Sequence, residues 1–77
     1  MSIREIEAFR AVMTAGTASK AARLLGVSQP AISQSIRKLE DLAGLRLFER
    51  VRGRLQPTQE AWALMTEVDR YFVGYEA

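Results

Sequence analysis

The 77-residue sequence contains neither cysteine nor histidine. Without cysteine there is no disulfide framework and no thiolate set for a zinc finger. Without histidine, metal-assisted hydrolysis and neutral-pH acid–base catalysis lose their usual agent. No apolar run approaches the ~20 residues of a membrane span. Met1-Ser2-Ile3-Arg4-Glu5 lacks the basic-then-apolar order of a secretory signal. The sole adjacent acidic pair, Glu40-Asp41, has no nucleophile–base set beside it. It reads as a helix-surface feature in which Arg37 pairs with Asp41 at i, i+4. These absences predict a cytoplasmic, non-enzymatic protein with no metal, no cofactor and no membrane contact.

What is present is apolar content and an uneven charge. At 48% apolar residues the chain is too hydrophobic for a disordered tail. Its length suits one small domain, whose limited core would gain from a partner subunit. The net charge is +2. Between Lys20 and Arg54, however, eight basic residues face three acidic ones, so that segment carries +5 and the remainder −3. Such asymmetry suits a polyanion-binding face, and equally a solvated surface with chance clustering.

Hydrophobic periodicity predicts four helices and a hairpin. Ser2 and Glu5 fit a capping box for a first helix, about Ile3 to Ala15, with Ile6, Phe9, Val12 and Met13 on its apolar face and Gly16 as its stop. Thr17 is placed to cap a second helix, Ala18 to Leu25, with Ala21, Ala22 and Leu25 turned inward. Gly26 ends it and Val27 fills the turn. Ser28 caps a third helix, with Pro30 in the first turn, where a missing N–H costs nothing. Ile32, Ile36 and Leu39 form its buried stripe, extended by Leu42, and Gly44 is its stop. Leu45 to Arg50 reads as a short strand, Arg52-Gly53-Arg54 as a turn, and Leu55 to Pro57 as the return strand. Thr58 would cap a fourth helix, Gln59 to about Tyr75. Its stripe of Ala61, Leu64, Met65, Val68, Phe72 and Tyr75 is too long to be covered by so small a core. That stripe is expected to meet a second copy of the chain in part, or else to pack wholly on the first helix. Trp62, Tyr71 and Tyr75 read as packing residues.

The segment Ala18 to Arg37 carries Ala22, Gly26 and Ile32 at the spacing A-x3-G-x5-I. A small residue lets two helices touch, a glycine ends the first and a branched residue anchors the second. This is the pattern of a helix-turn-helix whose second helix enters the DNA major groove. The outer surface of that helix then offers base-reading candidates. Gln29 suits adenine, Pro30 and Ala31 suit a thymine methyl, Ser33 and Gln34 suit several base edges, and Arg37 suits guanine or phosphate. Backbone candidates are Thr17, Ser19 and Lys20 at the start of the second helix, with Arg50, Arg52 and Arg54 on the hairpin placed for phosphates or a narrow minor groove. Singly, each has an ordinary reading as a cap, an exposed helix residue or a charged hairpin tip. Together they agree on one architecture.

The chain resembles the N-terminal DNA-binding region of LysR-type bacterial transcription regulators. The resemblance is carried by Phe9-Arg10-Ala11-Val12, Gly16, Ala21-Ala22, Leu25, Val27 to Ser33, Ile36, Leu39-Glu40, Gly44, Leu47-Phe48-Glu49-Arg50 and Pro57-Thr58. It implies a mainly α, winged helix-turn-helix domain over 1–57, made of a three-helix core with a small β-hairpin wing. A linker and dimerisation helix begins at 58–77. It also implies that Gln29, Pro30, Ser33, Gln34 and Arg37 face the groove, and that Ser19, Lys20, Arg50 and Arg52 lie near the backbone. The implied partners are operator DNA, as an inverted repeat, and a second copy in a homodimer, with higher assembly left open. A small-molecule effector would act through a C-terminal domain that this sequence does not contain, so the chain reads as part of a longer regulator. Ala18 departs from the family's larger apolar residue, and Gln34 stands where arginine is frequent. Val12 to Gly16 and Arg50 to Leu55 are similar to the lysine-biosynthesis activator, while Pro57 to Ala61 is similar to regulators of opine and amino-acid breakdown. The other reading is a winged-helix protein-interaction module that does not bind DNA, since one fold can serve either end.

Overall fold

The computed structural model describes residues 3–72. They form α1 (Ile3–Ala15), α2 (Ala18–Leu25), α3 (Gln29–Ala43), β1 (Phe48–Val51), β2 (Arg54–Pro57) and α4 (Gln59–Phe72). The first three helices each pack on the other two, while α4 lies against α1 and β2. The expected capping box at Ser2 and the expected end of α4 at Tyr75 lie outside the described residues.

The helix boundaries follow from local chemistry. Thr17 Oγ1 accepts the Lys20 N–H at 3.1 Å and Ser28 Oγ accepts the Ala31 N–H at 3.2 Å, so α2 and α3 begin on side-chain caps. Between them Gly26 has φ 69°, a left-handed conformation that lets the Val27 N–H close back onto the Ala22 carbonyl at 3.0 Å. Ala18 does not prevent α2 from starting there, and its side chain is buried.

The core gathers Phe9 from α1, Ile32 and Leu39 from α3, and Leu47 from the segment entering the wing, all less than 2% exposed. The alanines of α2, at 18, 21 and 22, are its buried residues and allow close helix approach. That choice corrects two sequence expectations. Leu25 is 39% exposed, because a two-turn helix that approaches through alanine leaves its larger side chains at the rim, and Val27, in the turn beyond Gly26, is 46% exposed. Leu42 is likewise 54% exposed, since the last turn of α3 runs past the core.

The strands pair antiparallel, Phe48 with Pro57 through to Val51 with Arg54. The first strand therefore starts at Phe48 rather than Leu45, which is exposed. The loop is Arg52-Gly53, with φ 56° and 77°, the pair of positive values that suits the twist of a two-residue hairpin. Phe48 anchors the wing on the body, its ring 5.9 Å from that of Phe9 and tilted by 58°.

Candidate nucleic-acid interface

Because Ile32, Ile36 and Leu39 point inward, the opposite side of α3 is turned outward by the helical period. Gln29, Pro30, Gln34, Arg37 and Lys38 are exposed, and Ser33 is half-buried. The Ser33 edge turns toward the wing. There Ser33 and Arg37 line a groove with Arg46, Phe48, Arg50 and Leu55. The fold thus joins two expected base-reading residues to one expected backbone residue, although 13 positions separate Arg37 from Arg50.

Ala31 is not part of this edge. It lines a separate groove with Arg4, Glu7, Ala8, Leu25 and Val27. Two residues on from Ala31, Ser33 lies some 200° around the helix, which explains the separation.

Thr17 serves first as the α2 cap, with Ser19 and Lys20 exposed beside it. The Ser19 hydroxyl also accepts from the Arg23 guanidinium at 3.4 Å. On the wing, Arg50, Arg52 and Arg54 are all exposed, and the Arg50 guanidinium reaches the Gly53 carbonyl at 3.5 Å. Among the described residues, the ion pairs are Arg10–Asp69 and Arg70–Glu67, neither of which involves a residue of α3 or the wing. The expected Arg37–Asp41 pair is not formed among them. Among the described residues the cations of α3 and the wing have no ion-pair partner, which leaves their field open to a polyanion.

Two residues at this site carry more than the sequence suggested. Arg46 entered only as a charge, yet it lines the groove. Glu40 entered as half of an exposed acidic pair, yet its Oε2 accepts the N–H groups of Leu47 at 2.8 Å and Phe48 at 3.1 Å. Thr58 braces the same segment from the other side. Its hydroxyl donates to the Arg46 carbonyl at 2.8 Å, its N–H donates to the Leu47 carbonyl at 2.9 Å, and its Oγ1 accepts the Ala61 N–H at 3.1 Å. Apart from the cap, these contacts join residues seven or more positions apart, so short-range patterns carry little trace of them.

The expected dimerisation stripe divides. Ala61 is 0% and Val68 5% exposed, both inside the protomer's own core. Neither has surface left for a second chain, because α1 and β2 already cover that line of α4. Leu64 and Met65 are half-buried against the core, and the side chain of Phe72 lies outside the described residues. Trp62 and Tyr71, expected to pack, are instead 56% and 78% exposed. They sit on the two flanks of the buried line rather than on it.

Residues 3–62 match the family model for the bacterial regulatory helix-turn-helix protein, lysR family. The chain belongs to the LysR family. It is 49% identical over 76 residues to the transcriptional activator protein LysR of Escherichia coli, covering 99% of this chain and 24% of that protein. It is 53% identical over 74 residues to the octopine catabolism/uptake operon regulatory protein OccR of Rhizobium meliloti, covering 96% of this chain and 25% of that protein. The chain thus spans about a quarter of the length of these relatives, which are named as regulators and not as enzymes. Among solved structures, the DNA-binding domain of CbnR in complex with DNA superposes with a TM-score of 0.87 at 33% identity, over 94% of this chain and 83% of that one. The match confirms the winged helix-turn-helix expected of the family. Both resemblances noted within the family persist, and the identities do not choose between them.

Proposed function

We propose that this chain binds duplex DNA sequence-specifically, as the DNA-binding part of a LysR-family transcription regulator. The reading is carried by one observation. Ser33 and Arg37 of α3 share a single groove with Arg46 and with Arg50 of the wing, and none of those cations is in an ion pair among the described residues. A fold match to a LysR-family domain that is itself in complex with DNA supports it.

In this reading α3 enters the major groove. Gln29, Pro30, Ser33, Gln34 and Arg37 meet base edges, while Lys20, Arg50, Arg52 and Arg54 hold phosphates or the minor groove, with Thr17 and Ser19 beside Lys20. Two copies would set two recognition helices about 34–36 Å apart on an inverted repeat. Leu64, Met65 and the exposed Trp62 supply the contact between copies. The named relatives are about four times as long as this chain, and small-molecule control would belong to the remainder of such a regulator.

Ser33→Ala and Arg52→Ala test the division of labour, using duplexes enriched by this chain from a random-sequence pool. Ser33→Ala changes base preference at one position, by less than the roughly 1–3 kcal/mol of a bidentate pair. Arg52→Ala weakens every sequence alike and lowers the slope of log K against log salt by about 0.9. A chain with no salt-dependent DNA affinity would instead be a protein-interaction module.

A further inference from the structure

The groove between α3 and the wing holds three arginines, Arg37, Arg46 and Arg50, and a single carboxylate, Glu40. A carboxylate so placed has guanidinium partners close by. It instead turns Oε2 to two backbone N–H groups, those of Leu47 and Phe48. The chain passes from the end of α3 into β1 at that point, and the side chains of Leu47 and Phe48 are buried there. Thr58 holds the neighbouring carbonyls of Arg46 and Leu47 from the α4 side. The root of the wing is therefore pinned between the last turns of α3 and the first turn of α4, and Arg46 and Arg50 hang from the pinned segment.

We propose that Glu40 is a positioning residue for the DNA interface. It sets the distance between the reading edge of α3 and the arginines at the wing root through its two backbone hydrogen bonds, and its charge is incidental to that task. The inference rests on the DNA-binding reading above and adds to it a residue that need not touch DNA.

The geometric role and a purely electrostatic one predict opposite signs. Removing a negative charge from a cationic groove favours a polyanion, so an electrostatic role makes both Glu40→Ala and Glu40→Gln bind DNA more tightly. A positioning role separates them. Glu40→Gln keeps an acceptor at the same reach and retains affinity and salt slope. Glu40→Asp keeps the charge but loses the reach. Glu40→Ala loses the acceptor. The last two bind about tenfold more weakly, and their salt slope falls by about 0.9 for each phosphate contact released. Discrimination at the position read by Ser33 stays unchanged, because α3 keeps its own packing on α1 and α2.

The experiment measures affinity of the whole chain for pool-enriched duplexes against salt, with amide hydrogen exchange at Leu47 and Phe48 on the same samples. The expected result is slow exchange in the parent and Glu40→Gln, and fast exchange with reduced salt slope in Glu40→Asp and Glu40→Ala. Tighter binding by Glu40→Ala, or normal slope and exchange in Glu40→Asp, overturns the proposal. Should Glu40→Ala fail to fold, the Gln and Asp variants still decide it. If the parent chain shows no DNA affinity at all, the functional reading fails, while the exchange data still report whether Glu40 holds the wing.

Discussion

Arg52 occupies a left-handed conformation, φ 56°, that a side-chain-bearing residue adopts at a cost. The hairpin demands that conformation, and asparagine would meet it with less strain. A cation retained at such a point suits a role at the wing tip that outweighs local stability. Arg52→Asn is accordingly expected to raise stability by about 1 kcal/mol, or roughly 4–8 °C in Tm for a domain of this size. Its DNA salt slope should fall by about 0.9 in the same protein. Thermal unfolding and salt-titrated binding check the two together. Parallel losses of stability and binding would mean that the arginine supports the turn rather than the ligand.

Among the elements, the turn between α2 and α3 sets the geometry of α3, the proposed reading helix. Gly26 sits there at φ 69° with no atom within 4 Å of where a Cβ would lie. An added methyl group meets no neighbour, so the cost of Gly26→Ala is conformational, about 1–2 kcal/mol. Urea unfolding should show that loss, while the folded fraction keeps its base preference. A changed preference would show that the turn had moved α3. The wing is held differently, by Phe48 on Phe9 and by the hydrogen bonds from Glu40 and Thr58. Stripping a buried donor of its acceptor costs about 1–3 kcal/mol, so this root contributes to stability as well as to placement. The Arg10–Asp69 contact between α1 and α4, at 3.5 Å with both side chains more than a third exposed, adds roughly 0–1 kcal/mol.

For the molecule as a whole, α4 packs on its own protomer and, in the proposed dimer, would also meet a second copy, and its sequence stripe does not distinguish the two. Val68 belongs to the protomer, so Val68→Asp buries an unpaired charge and should lower Tm sharply whatever the oligomeric state. Trp62 is exposed, so Trp62→Glu should leave Tm nearly unchanged while sedimentation shows weaker self-association and operator affinity drops. Unchanged sedimentation for Trp62→Glu would remove it from the proposed contact between copies.

Much of this was legible in local sequence. Thr17 and Ser28 as caps, Gly26 as a left-handed stop, and Ile32, Ile36 and Leu39 as a stripe are short-range chemistry, and the helix ends at Ala15, Leu25 and Ala43 follow from it. The exposed polar side of α3 was legible too, because a helix that buries one face must show the other. Tertiary structure alone decided which apolar residues were left over. Leu25 and Leu42 fit the helical period but find no facing surface, whereas Ala61 and Val68 find one inside the protomer. Periodicity describes a single helix, and burial depends on the shape of its neighbours. The same reason hid Glu40 and Arg46. Their contacts arise only when the chain has turned back from α3 into the wing and brought distant backbone amides and arginines into one groove.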